Sequence, residues 1–292
     1  MRGVRTVPER GSPTVRRLRL GQQLRRLRER RDLSGEDVAT RLKWSASKVS
    51  RIENAKTMPR RSDVEALAEL YEVGAVLQQE LLELHRDAAR RGWWEDYSGS
   101  LPQEYTTLLG LEVEAVSALN WEPQIVPGLL QTEDYAREVI RSTQAITRIP
   151  PGEFRSRVEA RMARQELILR SVDPLRLWVV LDESVLLRRF GGATVMRDQL
   201  ERLVELSRLP NVRVQVLSLD REHPVNTGSF FHLKFPEFHD VVYLEALHSA
   251  WFVEDEEMAY DYEIAFDRLQ SEAFGVDASR EIIQKTVEER WR

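Results

Sequence analysis

The sequence predicts an all-α N-terminal domain followed by an α/β or α+β C-terminal domain with one mixed sheet. The chain has 292 residues, enough for two domains of ordinary size. Residues 1–62 contain 18 Lys plus Arg against 6 Asp plus Glu, whereas the remainder contains 25 against 42. Apolar residues recur at helical spacing over residues 20–73, and helical and strand-like patterns alternate from residue 101 onward. The basic first part predicts an anionic partner such as nucleic acid.

Four short amphipathic helices are predicted within residues 20–73. In the first, an apolar stripe is formed by Leu20, Leu24 and Leu27. The second is expected to begin at Ser34, which has an acid three residues further on, as in a capping box. Ser45 is expected to cap the third helix, and Ser62, again with an acid three residues later, the fourth.

The third helix carries the surface that is needed to read DNA. Its Val49 and Ile52 are expected to point inward. Its outward face is then small, polar and cationic, with Ala46, Ser47, Lys48, Ser50 and Arg51. A recognition helix must enter a major groove about 12 Å wide and bring short polar groups to the base edges. Two short helices with a tight turn and this face predict a helix-turn-helix; the plainer alternative is solvated surface charge.

The stretch "LGQQLRRLRERRDLSGEDVATRLKWSASKVSRIENAKTMPRRSDVEALAELY" resembles the Xre-type, lambda-repressor-like helix-turn-helix. The similarity lies in the patterns L-R-x-L-R, L-S-x-E-x-x-A and S-x-S-x-x-S-R-I-E of its first three helices. The resemblance implies base-reading roles for Ala46, Ser47, Lys48 and Arg51. It implies phosphate contacts for Ser34, Ser45, Asn54, Lys56 and Arg61. It also implies a structural ion pair between Arg28 and Glu53.

Two residues depart from the pattern of that family. Gly35 stands where the family commonly has a Gln that reaches a phosphate, so this side-chain contact is missing. Ala55 stands where the family usually has a Gly in the left-handed conformation, which costs Ala about 1 kcal/mol. A turn of different shape is therefore expected after the third helix.

The predicted organisation has four parts. They are a disordered basic arm (1–17), the helix-turn-helix domain (18–75), a linking helix with an aromatic turn (76–100) and the C-terminal domain (101–292). The turn contains Trp93, Trp94 and Tyr97. These rings are interpreted as an interdomain hydrophobic staple, with a ligand-binding box as the alternative.

The C-terminal region is predicted to contain several helices and at least five strands. Helices are expected over 104–115, 131–141, 153–170, 194–208, 255–274 and 278–290, and strands over 175–181, 212–219, 228–235, 240–247 and 250–255. No nucleotide-binding, metalloprotease or hydrolase motif occurs, so the region is not expected to be an enzyme or to hold a cofactor. Asp182 and Glu183 follow a strand, where a catalytic or a capping role fits equally.

Four histidines lie in the strand-rich part of this region: His223, His232, His239 and His248. Their spacings match no standard set of metal ligands, so ordinary strand or loop histidines are expected and no metal site is predicted. The chain has no cysteine, which excludes disulfides and thiolate chemistry. It also has no apolar run long enough to span a bilayer, so a soluble cytoplasmic protein without membrane contact is expected.

The segment from Trp121 to Thr132 reads W-x-P-x-x-V-P-G-L-L-Q-T. With the upstream "GWWEDY", it makes the chain resemble the actinobacterial Xre-type regulators of sporulation and antibiotic production, similar to the WhiJ-like and antitoxin-like regulators. That resemblance implies a C-terminal domain without established enzymatic activity and a small partner protein. Pro123, Pro127 and Gly128 are expected to shape a rigid connection to a helix that Thr132 caps. The segment is interpreted as architecture, with a binding surface as the alternative.

These observations predict a sequence-specific DNA-binding transcriptional regulator. A single module of this size offers little interface, so a homodimer on a partly palindromic operator is expected. Two alternatives remain. One is an antitoxin-like protein that holds a small partner and regulates itself by DNA binding, and the other is a ligand-gated sensor or cryptic enzyme in the C-terminal domain.

Overall fold

The computed structural model describes residues 13–292 apart from residues 89–91, 98, 224, 227, 237–238 and 248, and the side chains of residues 13–15 and 87. The chain folds as two compact units that meet in sequence between Glu95 and Asp96. Within the described ranges, no helix combines the length and the apolar character needed to cross a membrane.

The N-terminal unit consists of helices. They are α1 Pro13–Glu29, α2 Gly35–Leu42, α3 Ala46–Glu53, α4 Arg61–Leu70 and α5 Ala75–Ala88. Their apolar faces form one core that includes Leu24, Val38, Val49 and Leu67. The core extends further than the sequence predicted, because Leu81 of α5 is fully buried in it. The expected linking helix is therefore a part of this unit.

The start of α1 differs from the prediction of a disordered arm over residues 1–17. Helix α1 begins at Pro13, and Leu18 is already buried. Proline suits a first helical turn, because its missing N–H would have no partner there. The other part of the expected arm, residues 1–12, lies outside the described residues.

The helix caps follow the sequence in two cases and depart from it in a third. Ser34 forms the predicted capping box of α2, since its Oγ accepts the Asp37 N–H at 3.1 Å and its own N–H donates to the Asp37 carboxylate at 2.8 Å. Ser45 Oγ likewise accepts the Lys48 N–H at 3.2 Å. The predicted cap at Ser62 is wrong: α4 begins at Arg61, and the carboxylate of Asp63 accepts the Arg60 N–H at 3.0 Å.

Helices α1 and α3 approach each other closely at Gly21. A Cβ atom at this position would lie 2.5 Å from the Glu53 carbonyl oxygen and 2.8 Å from that of Ile52. Both are backbone atoms, which a side-chain rotation cannot move. Glycine is therefore required where α1 crosses the end of α3.

The C-terminal unit is built on one six-stranded mixed sheet, which confirms the predicted fold class. Its strands are β1 Ser117–Glu122, β2 Arg176–Asp182, β3 Val212–Leu217, β4 Phe230–Lys234, β5 Val241–Glu245 and β6 Ala250–Val253, in the order β3-β2-β1-β4-β5-β6. The first three strands are parallel, and the other pairings are antiparallel. Strands β1, β2, β3 and β5 therefore end at the same edge of the sheet.

Helices flank this sheet. They are α6 Gln103–Glu114, α7 Glu133–Thr143, α8 Pro151–Arg164, α9 Glu166–Leu169, α10 Ser184–Leu187, α11 Ala193–Leu206, α12 Glu256–Glu272 and α13 Val276–Arg290. Phe266 and Leu269 of α12 pack on a core that contains Trp121 and Phe230. The single helix predicted over 153–170 is interrupted at Gln165, whose N–H bonds three residues back to the Met162 oxygen at 3.2 Å.

Candidate nucleic-acid interface

A tight turn sets α3 against α2. Lys43 caps the end of α2 in the left-handed conformation, with φ of 55°. The Trp44 N–H then donates to the Ala39 oxygen at 2.8 Å, and Ser45 already caps α3. Three residues thus separate the helices, as in a helix-turn-helix. Val49 and Ile52 are buried, so the opposite face of α3 turns to solvent.

The exposed face of α3 is small and polar around one arginine. Ala46, Ser47, Ser50 and Arg51 are all exposed. Arg51 makes no side-chain hydrogen bond or ion pair with any residue that the structure describes. Its guanidinium group keeps all its donors for an external acceptor, and the neighbouring side chains are short enough to allow close approach. This is the chemistry that bidentate recognition of guanine O6 and N7 needs.

Lys48 differs from the other three predicted base-reading residues, because its charge is already paired. Its Nζ donates to Asp63 Oδ1 at 2.6 Å and lies 3.6 Å from the centre of the Trp44 ring. Burial alone would raise the pKa of the Asp63 carboxyl, but the hydrogen bonds from Lys48 and from the Arg60 N–H outweigh burial and lower this pKa. The ion pair joins α3 to α4, and the sequence reasoning missed both partners of Lys48.

The predicted phosphate-contacting residues fall into two groups. Lys56 and Arg61 are exposed cations, and the ion pair of Arg61 with Glu65, at 2.9 Å, is itself exposed and therefore weak. The side chains of the other three are engaged within the unit. Ser34 and Ser45 cap helices, and Asn54 Nδ2 donates to the Ser50 oxygen at 2.8 Å. At the starts of α2 and α3, backbone N–H groups rather than hydroxyls are the available donors.

The structure brings Arg28 and Glu53 together in a bidentate ion pair. Arg28 Nε donates to Glu53 Oε1 at 2.7 Å, and Nη2 donates to Oε2 at 3.0 Å. Nη1 donates to the Leu33 oxygen at 2.6 Å. The hydrogen bond that Arg28 donates to Glu53 raises the pKa of Arg28 further, although burial opposes this. The pair ties α1 to the end of α3 and to the loop before α2, so it fixes the orientation of α3.

The turn after α3 was expected to differ in shape from that of the resembled family, and this expectation is wrong. Ala55 adopts φ of 53°, the left-handed conformation in which the resembled family usually places Gly. The Lys56 N–H donates to the Arg51 oxygen at 2.8 Å and the Ala55 N–H to the Ile52 oxygen at 3.0 Å. These hydrogen bonds hold the turn despite a strain of about 1 kcal/mol.

The described histidines of the C-terminal unit have separate surroundings. His232 is buried, with Nε2 at 3.1 Å from an Asp240 oxygen, and His239 pairs with Glu256. The His223 ring lies edge-on to Trp121, with 5.5 Å between ring centres. His248 lies outside the described residues. Among those described, no three His, Asp or Glu side chains converge as a metal site would require.

The two carboxylates at the end of β2 accept hydrogen bonds from backbone N–H groups. Asp182 Oδ1 accepts the Ser184 N–H at 2.9 Å, and Glu183 Oε2 accepts the Leu219 N–H at 3.0 Å. Upstream, Trp93 and Trp94 pack edge to face with ring centres 6.0 Å apart in a short 3-10 helix that runs to Tyr97, and Trp94 is buried. Neither arrangement identifies a binding site.

The segment from Trp121 to Thr132 is held by a network of hydrogen bonds to its backbone. Gln131 Nε2 donates to the Val126 oxygen at 2.6 Å, and the Val126 N–H donates to the Tyr135 hydroxyl at 3.2 Å. Thr132 caps α7, as predicted, and its N–H donates to Gln199 Oε1 at 2.7 Å. These hydrogen bonds fix the backbone of the segment within the C-terminal unit, which favours the architectural interpretation. Its Gly128 also lies against two arginines of α8, since a Cβ there would be 3.1 Å from Arg164 Nη1.

Two family models match the chain. Residues 19–81 match a helix-turn-helix domain, and residues 105–285, more than half of the chain, match a domain of unknown function, DUF5753. No curated protein and no solved structure matches. The first match agrees with the tight turn between α2 and α3 and with the exposed face of α3.

Proposed function

We propose that this chain, which belongs to the DUF5753 family and carries a helix-turn-helix domain, is a sequence-specific DNA-binding transcriptional regulator. The observation that carries the proposal is the exposed Arg51, which has no partner among the described residues, in a face of short polar side chains. Arg51 reads a base edge beside Ala46 and Ser47, while Lys56 and Arg61 contact phosphates. Lys48 reads a base only if its ion pair with Asp63 opens. The main role of Lys48 in this proposal is to hold α3 against α4.

The proposed regulator acts as a homodimer. One helix-turn-helix buries too little surface for the affinity of a specific regulator, and two copies on a palindromic operator double the contacts. Half-sites would then lie about one helical turn of DNA, roughly 34 Å, apart. Sedimentation of the full chain with operator duplex tests this, and a single copy per duplex at saturation contradicts it.

The C-terminal domain is proposed to bind a small partner protein or a signal that modifies DNA binding. The support is the resemblance to the WhiJ-like and antitoxin-like actinobacterial regulators, carried by the Trp121–Thr132 segment. Cytoplasmic location follows from the proposed DNA target. Co-purification of a short protein with the full chain would favour the antitoxin-like version of this role.

Fluorescence anisotropy with the full chain tests DNA recognition. The probes are a duplex from the upstream region of its own gene and a scrambled duplex of equal composition. Arg51→Ala is expected to cost about 1–3 kcal/mol on the specific duplex and little on the scramble. Lys56→Ala is expected to weaken both duplexes alike. The matched control is Arg155→Ala, which removes an exposed arginine from α8 of the other unit.

The outcomes separate recognition from attraction by charge. Loss of the preference for the upstream duplex in the Arg51 variant, with the Arg155 variant unchanged, supports base reading. Equal binding of the two duplexes by the wild type contradicts sequence specificity. Affinity that does not fall with rising salt contradicts phosphate contacts, because displaced counterions must make binding salt-dependent.

A further inference from the structure

A charged cavity lies at the edge of the C-terminal sheet where the parallel strands end. Strands β1 and β5 finish there at Glu122 and Glu245. Strand β1 is also the switch point of the topology, because the chain continues to β2 on one side of it and later to β4 on the other. In α/β sheets, the crevice at such a switch point is the usual place for a ligand.

Two adjoining hollows of about 70 Å³ and 250 Å³ form this cavity, which we call the edge cavity. Four residues line both hollows: Tyr105, Arg161, Tyr243 and Glu245. Glu122 lines the smaller hollow. The combined space lies at the lower end of the range typical of ligand pockets, so it suits a small molecule.

Two arginines one turn apart on α8 differ sharply in how they are paired. Arg164 donates through Nε to Glu112 Oε2 at 2.8 Å, through Nη2 to the other carboxylate oxygen, and through Nη1 to the Tyr105 hydroxyl at 3.0 Å. Arg161 makes one hydrogen bond to a described residue, from Nη1 to Gln131 Oε1 at 3.1 Å. Its Nε is buried without a partner. Arg164 is thus a structural residue, whereas Arg161 has unused donors beside the cavity.

The two carboxyl groups of the cavity, Glu122 and Glu245, form no ion pair with a described residue. Burial raises the pKa of Glu122 to about 8, the negative charge of Glu245 adds to the rise, and Asn120 and Arg161 oppose it. The charge of Glu122 also contributes to the raised pKa of the Tyr135 hydroxyl, after burial. The free protein therefore keeps Glu122 largely protonated at neutral pH, and a cation placed beside it would favour the ionised form.

We propose that the edge cavity binds a small zwitterion of the amino-acid type, with its carboxylate on Arg161 and its ammonium group between Glu122 and Glu245. Such a ligand satisfies the unused guanidinium donors and compensates the two carboxylates at the same time. Glu104 and Arg157 line the larger hollow, but Arg157 is already paired with Glu153 at 2.7 Å. The site gives a ligand class to the signal-binding role proposed for the C-terminal domain. The regulatory meaning of the site rests on that proposed function, whereas the binding itself does not.

Another cavity of the C-terminal unit, of about 410 Å³, is a weaker candidate. It lies at the other end of the parallel strands, beside Ser117 and Arg176. Two of its three cations are engaged: Lys234 pairs with Glu263, and the Arg213 guanidinium stacks 4.6 Å above the Trp178 ring. The third, Arg176, is exposed to solvent. Among the described residues, no buried polar atom without a partner belongs to a residue that lines this cavity, so it offers a ligand less to recognise than the edge cavity does.

Binding to the full chain without DNA tests the proposal, so that it can fail independently of DNA recognition. Thermal-shift screening of the proteinogenic amino acids is followed by calorimetry of any that bind. Acetate and methylamine serve as probes with a single charge. One or more amino acids are expected to bind with millimolar affinity or better, and the single-charge probes much more weakly. No amino acid binding, or acetate binding as well as the amino acid, overturns the zwitterion.

Variants assign the two ends of the ligand. Arg161→Gln is expected to weaken amino-acid binding at least about tenfold, because the ion pair is lost. Arg155→Gln, an exposed position on the same helix, is the control and is expected to bind as the wild type does. Unchanged affinity in a folded Arg161 variant overturns the assignment. Circular dichroism verifies that each variant folds.

The pH dependence reports on the ammonium end of the ligand. Because the cation favours ionised Glu122, binding releases a proton, and affinity is expected to rise from about pH 6 to about pH 8 and then level off. Glu122→Gln is expected to remove this dependence. A wild-type affinity that is constant over the same range, or a variant that retains the rise, contradicts the placement of the ammonium group at Glu122.

Discussion

The helical N-terminal unit and the C-terminal sheet unit can be compared through two arginines in each, one bound by a carboxylate in bidentate fashion and one without such a partner among the described residues. Arg28 and Arg164 are bound in bidentate fashion by Glu53 and Glu112. Arg51 and Arg161 have no ion pair with a described residue. The unpaired arginine is exposed on a convex helix in the first unit and lines a cavity in the second.

The difference in shape explains the difference in proposed partner. A convex helix surrounded by short side chains fits into a groove, so Arg51 suits DNA. A concave wall that also carries carboxylates encloses a small molecule, so Arg161 suits a zwitterion. The paired arginines, Arg28 and Arg164, have a different role. Where all the strong donors of a guanidinium group are satisfied internally, its role is to fix the fold rather than to bind a partner.

The largest expected effect comes from breaking the buried pair of the C-terminal unit. Glu112 is fully buried, so Glu112→Ala would leave the Arg164 charge in the interior without compensation. We expect a loss of about 3–5 kcal/mol in the unfolding free energy of this unit. Urea unfolding followed by hydrogen exchange, which separates the two units by peptide, measures the loss.

Two controls sharpen this prediction. Replacing both partners, Glu112→Leu with Arg164→Met, is expected to recover most of the stability, because no charge stays buried. Glu53→Ala in the N-terminal unit is expected to cost less, since Arg28 is partly exposed and keeps its hydrogen bond to the Leu33 oxygen. A larger loss for Glu53→Ala than for Glu112→Ala would contradict the comparison of the two pairs.

A smaller effect is expected from Gly21→Ala in the N-terminal unit. The new Cβ would meet the Glu53 and Ile52 carbonyl oxygens, so α1 and α3 must separate. We expect a cost of about 1–3 kcal/mol, as for other overpacked cores, and weaker DNA binding because α3 shifts. Thermal unfolding followed by circular dichroism, together with the anisotropy assay, measures both.

Gly35→Ala is the matched control in the same unit. A Cβ at Gly35 meets only the Val49 side chain, at 4.0 Å, so the variant is expected to be as stable as the wild type or slightly more so. Equal stability of the Gly21 and Gly35 variants would show that the close approach of α1 to α3 is not required.

Much of the local structure could be predicted from sequence, because helix caps depend on residues that are close to one another in the chain. Ser34, Ser45 and Thr132 were identified as caps because a cap depends on residues three positions apart. The same range explains the error at α4. Arg60 with Asp63 and Ser62 with Glu65 offer competing starts within two residues, and the structure uses the first.

The sites depended on pairings that no local pattern contains. Asp63 is 15 residues from Lys48, and Glu112 is 52 residues from Arg164. Nothing in the sequence of α8 shows that Arg164 is paired and Arg161 is not. The edge cavity likewise needs the strand order, which brings Glu245 to the same edge as Glu122. Bounds were predicted for five of the six strands, but not for β1, which ends at Glu122, and the strand order was not predicted.

The smallest expected effect compares two strained turns, one in each unit. Ala55 has φ of 53° and Asp173 has φ of 46°, both left-handed. Glycine removes the strain of about 1 kcal/mol at Ala55 but loses part of that gain through the freedom of the unfolded chain, so Ala55→Gly is expected to stabilise by less than about 1 kcal/mol. Aspartate tolerates this conformation, so Asp173→Gly is expected to give no gain. Thermal unfolding of each variant distinguishes the two. If Ala55→Gly destabilises the N-terminal unit, the hydrogen bonds from the Ala55 and Lys56 N–H groups hold the turn without strain, and the departure from glycine has no cost there.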